Sequence, residues 1–177
     1  MNTTLLVCAG LGTTGTSAVD VELGKLGLKT AKWTHVTEQP AGLHVPSNIM
    51  KPLMSGMYKA GMFDSVDAVL DSPAIDFLPW ILQNYKTKII LTERDSKKWA
   101  SRRARMHPCA APPFRTWFLP FKVSPCRPSS TFLLEHTYIA WTAYVVSLSE
   151  RNNIPLLRLN LFTDDAWKEA IRDFVAK

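Results

Sequence analysis

Cysteine is scarce, with three in 177 residues at positions 8, 109 and 126, too few for the disulfide framework of a small secreted scaffold. Cys8 sits in an apolar run and reads as a core residue. Cys109 and Cys126 bracket a proline-rich segment, and spacing alone does not decide whether they pair. Acidic residues are in deficit, 15 against 21 basic ones, for a net charge of +6, which favours an anionic partner: a nucleotide, a sulfated or phosphorylated small molecule, nucleic acid or an acidic membrane face. No charged and then apolar leader precedes the first strand-like run, Thr4–Ala9, so no signal peptide is expected in these residues and a cytoplasmic location is favoured. A long charge-free apolar run is missing as well. The most apolar stretch, Phe132 to Leu148, carries Glu135 and His136 and reads as a buried helix, not a membrane span. No internal repeat is visible. What remains is ordinary globular composition, 46% hydrophobic and 20% charged, with six Trp, four Tyr and eight Phe. At this length a chain buries roughly 70% of its unfolded surface, so it needs no metal or disulfide to hold its core.

Two patterns alternate along the chain: short β-rich runs, and longer stretches with a helical period. The runs Thr4–Ala9, Lys29–Thr34, Val66–Leu70, Lys88–Thr92 and Leu156–Leu161 are bounded and rich in Val, Ile or Leu. Between them the spacing predicts helices over Thr16–Leu26, Asp76–Tyr85, Ser96–Arg105 and Thr131–Glu150. A last helix carries the stripe Trp167, Ala170, Ile171, Phe174, Val175, which packs one face on a core. Such alternation predicts an α/β fold, a parallel sheet wrapped by helices. We read residues 1–177 as a single domain with two proline-rich insertions, near 38–61 and 107–130. The second holds six Pro with Phe114, Trp117, Phe118 and Phe121 and reads as a lid or substrate wall.

The first strand runs directly into Gly10-Leu11-Gly12-Thr13-Thr14-Gly15-Thr16-Ser17 and then an amphipathic helix. Strand, glycine-bearing turn and helix together aim backbone N–H groups and a helix N-terminus at one phosphate. The spacing Gly10-x4-Gly15-x-Ser17 fits the nucleotide-binding loop G-x-x-x-x-G-K-S/T except that Thr16 stands where that loop has lysine. A second anion feature lies further on: between Glu93 and Arg105 six basic residues face two acidic ones, a local net of +4. The basic run is short and not interleaved with aromatics, which argues against a nucleic-acid surface.

These blocks resemble the sulfotransferases that use 3′-phosphoadenosine 5′-phosphosulfate (PAPS). The glycine loop is similar to their G-x-P-R/K-S/T-G-T-S/T, in which Thr16 is expected. Phe63 through Pro73 resembles F-D-x-x-D-A-V-x-D-x-P, and Lys88 through Trp99 resembles K-V/I-I-L-T-x-R-D-P-x-x-W. Leu156-Leu157 and Trp167 to Phe174 look like the closing strand and helix. The resemblance implies a P-loop nucleoside-kinase-like three-layer sandwich on a five-stranded parallel sheet. It implies PAPS as donor and 3′-phosphoadenosine 5′-phosphate (PAP) as product, with a sulfuryl group moved to a hydroxyl or amine of a small molecule. Trp33, Phe114, Trp117, Phe118 and the Met-rich 50–62 stretch favour an apolar acceptor.

The resemblance also assigns residues. Gly12, Thr13, Thr14, Gly15, Thr16 and Ser17 cradle the 5′-phosphate with backbone N–H groups and hydroxyls. Arg94 clamps the 3′-phosphate; the family's partner serine lies eight residues on, where this chain has Arg102 with Ser101 beside it. Asp71, ending the third strand, takes the place of the general base; His35, ending the second, is a further candidate suited to proton transfer near neutrality. Thr13 departs from the pattern, since the family's Arg or Lys there neutralises the bridging oxygen as sulfate leaves. Lys29, Lys32 or the arginines of the second insertion are candidates to replace it. The rival expectation is a non-catalytic nucleotide-binding or interaction protein that kept the fold and lost the cation; a magnesium-dependent kinase is disfavoured by the missing loop lysine.

Overall fold

In the computed structural model the described residues are 4–32, 59, 61–71, 74–106 and 130–177. His35, Trp33, Cys109, Cys126, Phe114, Trp117 and Phe118, with most of both proline-rich insertions, lie outside them.

Five short strands, β1 Leu5–Cys8, β2 Thr30–Lys32, β3 Ala68–Leu70, β4 Thr87–Thr92 and β5 Leu156–Leu159, form one sheet in the order β2-β3-β1-β4-β5. Every pairing is parallel. Between the strands come α1 Thr16–Lys25, a 3-10 turn Ala74–Phe77 leading into α2 Leu78–Asn84, α3 Ser96–Met106 and α4 Ser130–Arg151; α5 Trp167–Ala176 closes the chain. The single helix expected over Asp76–Tyr85 is therefore a 3-10 turn followed by a short α-helix, with Pro79 in the first helical turn, where a missing N–H costs no hydrogen bond.

The central strand β1 is buried at all four positions, as a strand covered on both faces must be. Its side chains alternate between two cores. Leu5 and Val7 pack with Val69, Ile89 and Leu91 against Ile75 and Leu78, Trp99 of α3, and Leu134, Tyr138, Trp141 and Val145 of α4. Leu6 and Cys8 pack on the other face with Leu70, Ile90 and Leu159 against Val19 and Leu23 of α1 and Ile171 of α5. The result is a three-layer α/β/α sandwich. An ion-paired clasp ties the outer pair together: Arg172 of α5 donates to Glu22 Oε1 at 2.8 and 3.1 Å, and Lys25 reaches Oε2 at 3.3 Å. The 22-residue α4 carries Leu134, Thr137, Tyr138, Trp141 and Val145 into the interior; no helix of the described residues is long and apolar enough to cross a membrane.

Parallel strands put all their carboxyl ends on one side. Because β1 lies between β3 and β4, the chain departs in opposite directions from neighbouring strands there, and the crevice so formed is where open α/β sheets collect ligands. The segment after β1 opens into that crevice.

Candidate functional site

Gly15 precedes α1 with φ 108° and offers no side chain to cap it. By helix geometry the amides of Thr16 and Ser17 have no intrahelical carbonyl to meet, an arrangement suited to an anion with the positive end of the helix dipole behind it, while Ala18 N already donates to Gly15 O at 2.9 Å. The loop before Gly15 is pinned from several elements. Trp141 Nε1 of α4 donates to Ala9 O at 2.7 Å, and Trp99 Nε1 of α3 donates to Gly12 O at 2.9 Å. Thr14 is fully buried; its hydroxyl donates to Leu11 O at 2.6 Å and meets Thr92 Oγ1 at 2.6 Å, so Thr92 is the donor of that second bond. The Thr14 hydroxyl therefore faces inward and fastens the loop to β4, in place of the cradling role expected of it.

Thr13 has φ 78°, a left-handed conformation that is an outlier for a β-branched residue and costs of order 1–3 kcal/mol. Arg94 steadies it, with Nη1 3.4 Å from Thr13 O, while the same guanidinium lies 4.1 Å over the Phe162 ring. The Thr13 hydroxyl is buried and has no hydrogen-bond partner. Leu161 backs Gly15 from the loop after β5, its Cδ2 2.9 Å from where a Cβ would stand. Thus Arg94 and Leu161 both meet the glycine loop, from just after β4 and β5 respectively.

Asp71 ends β3 with φ 65°. Its carbonyl accepts from Ile75 N at 3.3 Å, and its carboxylate Oδ2 accepts from Thr16 Oγ1 at 3.2 Å. So Asp71 and Thr16 are brought together across the crevice. The neighbouring motif residues are scaffolding: Asp67 accepts from Lys29 N at 2.8 Å, and Phe63 is buried against Trp80 and Tyr85. Lys29 precedes β2, at the amino end of the parallel strands, whereas the loop lies at their carboxyl ends. Lys32, at the carboxyl end of β2, donates to Ser17 Oγ in the first turn of α1. Of these two lysines it is Lys32 that reaches the start of α1 beside the glycine loop.

The family-model search decides what this loop belongs to: the model of the sulfotransferase domain matches residues 5–174. The chain is a member of the sulfotransferase domain family. No curated protein matches it. With that assignment the basic run after β4 can be read by position in this sulfotransferase domain. A helix turns 100° per residue, so only positions a turn apart share a face. Trp99 and Arg103 are such a pair, and both are buried at Gly12. Ser101 and Arg102 are exposed and fall on the outer side of α3 with Lys97, Lys98 and Arg105. The clamp partner expected at Ser101 or Arg102 is therefore not carried toward the loop; Arg103, the neighbour of both, is. Part of the local charge is already paired, since Arg158 of β5 grips Glu93 at 2.8 and 2.9 Å.

Arg103 is 6% exposed, and an added Cβ at Gly12 would lie 3.1 Å from its Nη1 and 3.4 Å from Asp71 Oδ1. Glycine at position 12 is what lets guanidinium, carboxylate and loop backbone converge. Burial lowers the pKa of Arg103 and the charge of Asp71 raises it again. Sequence reasoning did not single out Arg103. The available signal was a basic residue one helical turn after the motif tryptophan.

Proposed function

We propose that this chain transfers a sulfuryl group from PAPS to a hydroxyl or amine of a small acceptor, an apolar one being favoured. The observation that carries the reading is the glycine-started N-terminus of α1 set between Lys32 and Arg94, with Gly12 open toward Arg103 and Asp71. A phosphosulfate fits such a place: backbone N–H groups and Lys32 hold the 5′-phosphate, and the donor supplies an activated S–O bond. Arg94 is on hand for the 3′-phosphate, with Phe162 beneath its guanidinium holding it in place. Asp71 takes the acceptor's proton. Catalysis of this kind rests on positioning and electrostatics, as in phosphoryl transfer.

Calorimetric titration with PAP, with ATP plus Mg²⁺ in parallel, tests the donor. Binding of PAP in the micromolar range and no response to ATP is the expected result; the reverse order of affinity overturns it. Arg94→Ala is expected to weaken PAP binding by about 1.5–3 kcal/mol, roughly 10- to 150-fold, through loss of a charge-assisted contact. An unchanged titration removes Arg94 from the phosphate clamp. Asp71→Asn is expected to slow turnover by about 10²-fold or more, the usual contribution of a positioned base, and full activity in that variant ends its role. Thr13, without the family's cation, favours one rival: a protein that binds PAP and transfers nothing.

A further inference from the structure

Resting on the donor reading above, we propose that Arg103, brought in from α3, supplies the positive charge at the leaving bridging oxygen that residue 13 of this chain does not. Thr13 cannot act as the substitute, since its hydroxyl is buried in the protein. Lys32 contacts Ser17, an exposed residue in the first turn of α1, so water screens its charge and it engages the helix start, not the loop at Gly12. Arg103 differs on both counts. Its guanidinium is buried, so its field is weakly screened, and it meets the loop at Gly12, on the same point that Asp71 approaches.

The pairing with Asp71 gives the charge its timing. Before reaction the carboxylate compensates the guanidinium. As the acceptor oxygen bonds to sulfur, its proton passes to Asp71. The bond from sulfur to the bridging oxygen breaks, and its electron pair stays on that oxygen, now part of the 5′-phosphate of PAP. Protonated Asp71 no longer offsets Arg103, so the guanidinium's charge becomes available to the oxygen in the step that makes it negative. This is stabilisation realised in the transition state and not in the ground state.

The test uses the whole chain with water as acceptor, following sulfate release from sulfur-labelled PAPS and PAP affinity by calorimetry. Arg103→Gln is expected to release sulfate at least 100-fold more slowly while PAP affinity falls by no more than tenfold, the mirror of the gain expected for Asp71→Asn. Asp71→Asn, whose neutral side chain no longer opposes the charge of Arg103, is expected to bind PAP three- to tenfold more tightly, and the double variant to lose that gain. A packing role for Arg103 produces neither the split between rate and affinity nor the reversal in the double variant. An Arg103→Gln rate within threefold of the original overturns the proposal and leaves the donor reading standing. Should Arg103→Gln not fold, Arg103→Lys keeps the charge beside Asp71 but shortens its reach; a tenfold slower rate at unchanged PAP affinity is expected, and an unchanged rate overturns the role. If the unaltered chain neither binds PAP nor releases sulfate, the donor reading fails, and Arg103 has no reaction to serve.

Discussion

Gly10→Ala is expected to be the most destabilising single-methyl change at the carboxyl end of the sheet, lowering unfolding free energy by about 3 kcal/mol or more. A Cβ on Gly10 would lie 1.8 Å from Thr92 Oγ1, 2.8 Å from Thr14 Oγ1 and 2.9 Å from Thr92 O. The two hydroxyls are bonded to each other, and Thr14 is bonded on to Leu11 O, so neither can swing aside without leaving a buried polar atom unpaired. The third atom is backbone of β4, held in register with β5. The methyl can be admitted only by parting the loop from β4. For a chain of this size the melting temperature is then expected to fall by roughly 6–12 °C. Thermal denaturation followed by circular dichroism measures it; a shift of less than about 2 °C would show that the loop reseats freely and that the Thr14–Thr92 link is not what fixes it.

Gly15→Val is expected to abolish PAP binding in a protein that still folds. The clash with Leu161 Cδ2 at 2.9 Å is with the mobile end of a side chain and is the lesser part. The larger part is φ 108°, which a β-branched residue does not adopt. Relaxing it rotates the peptide that leads into α1 and turns the first amides away from the crevice. An affinity loss beyond 100-fold follows, while Gly15→Ala, strained but unbranched, falls between the two. Calorimetry with PAP, alongside a dichroism spectrum confirming helix content, separates the effects. Unaltered binding by Gly15→Val would mean that the phosphate is held by side chains and not by the helix start.

The strands and their parallel arrangement could be read from the chain because buried parallel strands leave a simple mark: short apolar runs such as Lys88–Thr92, observed as Thr87–Thr92, separated by helical spacing. β2 is expected over Lys29–Thr34 and observed over Thr30–Lys32, residues from 33 onward lying outside the described set. The glycine loop was legible because glycine is what a close approach and a positive φ demand. Which face of α3 met the loop was not legible. Ser101, Arg102 and Arg103 are adjacent and similarly polar, and the choice among them is a matter of 100° of helical rotation, fixed by Trp99 seeking Gly12 O. Counting eight residues from Arg94 lands on an exposed position, and the one after it is buried against Gly12. Thr14 illustrates a second limit: a hydroxyl in a phosphate loop can be spent on tertiary hydrogen bonds that only the folded chain creates.

Cys8, at the end of β1 and packed between α1 and the sheet, has a thiol that burial pushes from the ordinary 9.0 up to about 12, Asp71 adding in the same direction while hydrogen bonds with Gly10 and Thr92 oppose it. Near pH 8 its thiolate is then roughly one part in ten thousand in the folded chain. The neutral thiol is favoured by folding, so this contribution to stability is whole below pH 9 and drains away as alkali rises toward 12, the unfolded chain ionising first. With Cys109 and Cys126 replaced by serine, an alkylating reagent would find this sulfur only when the sheet opens. The sulfotransferase domain thus carries, directly beneath its glycine loop, a chemical clock for its own unfolding.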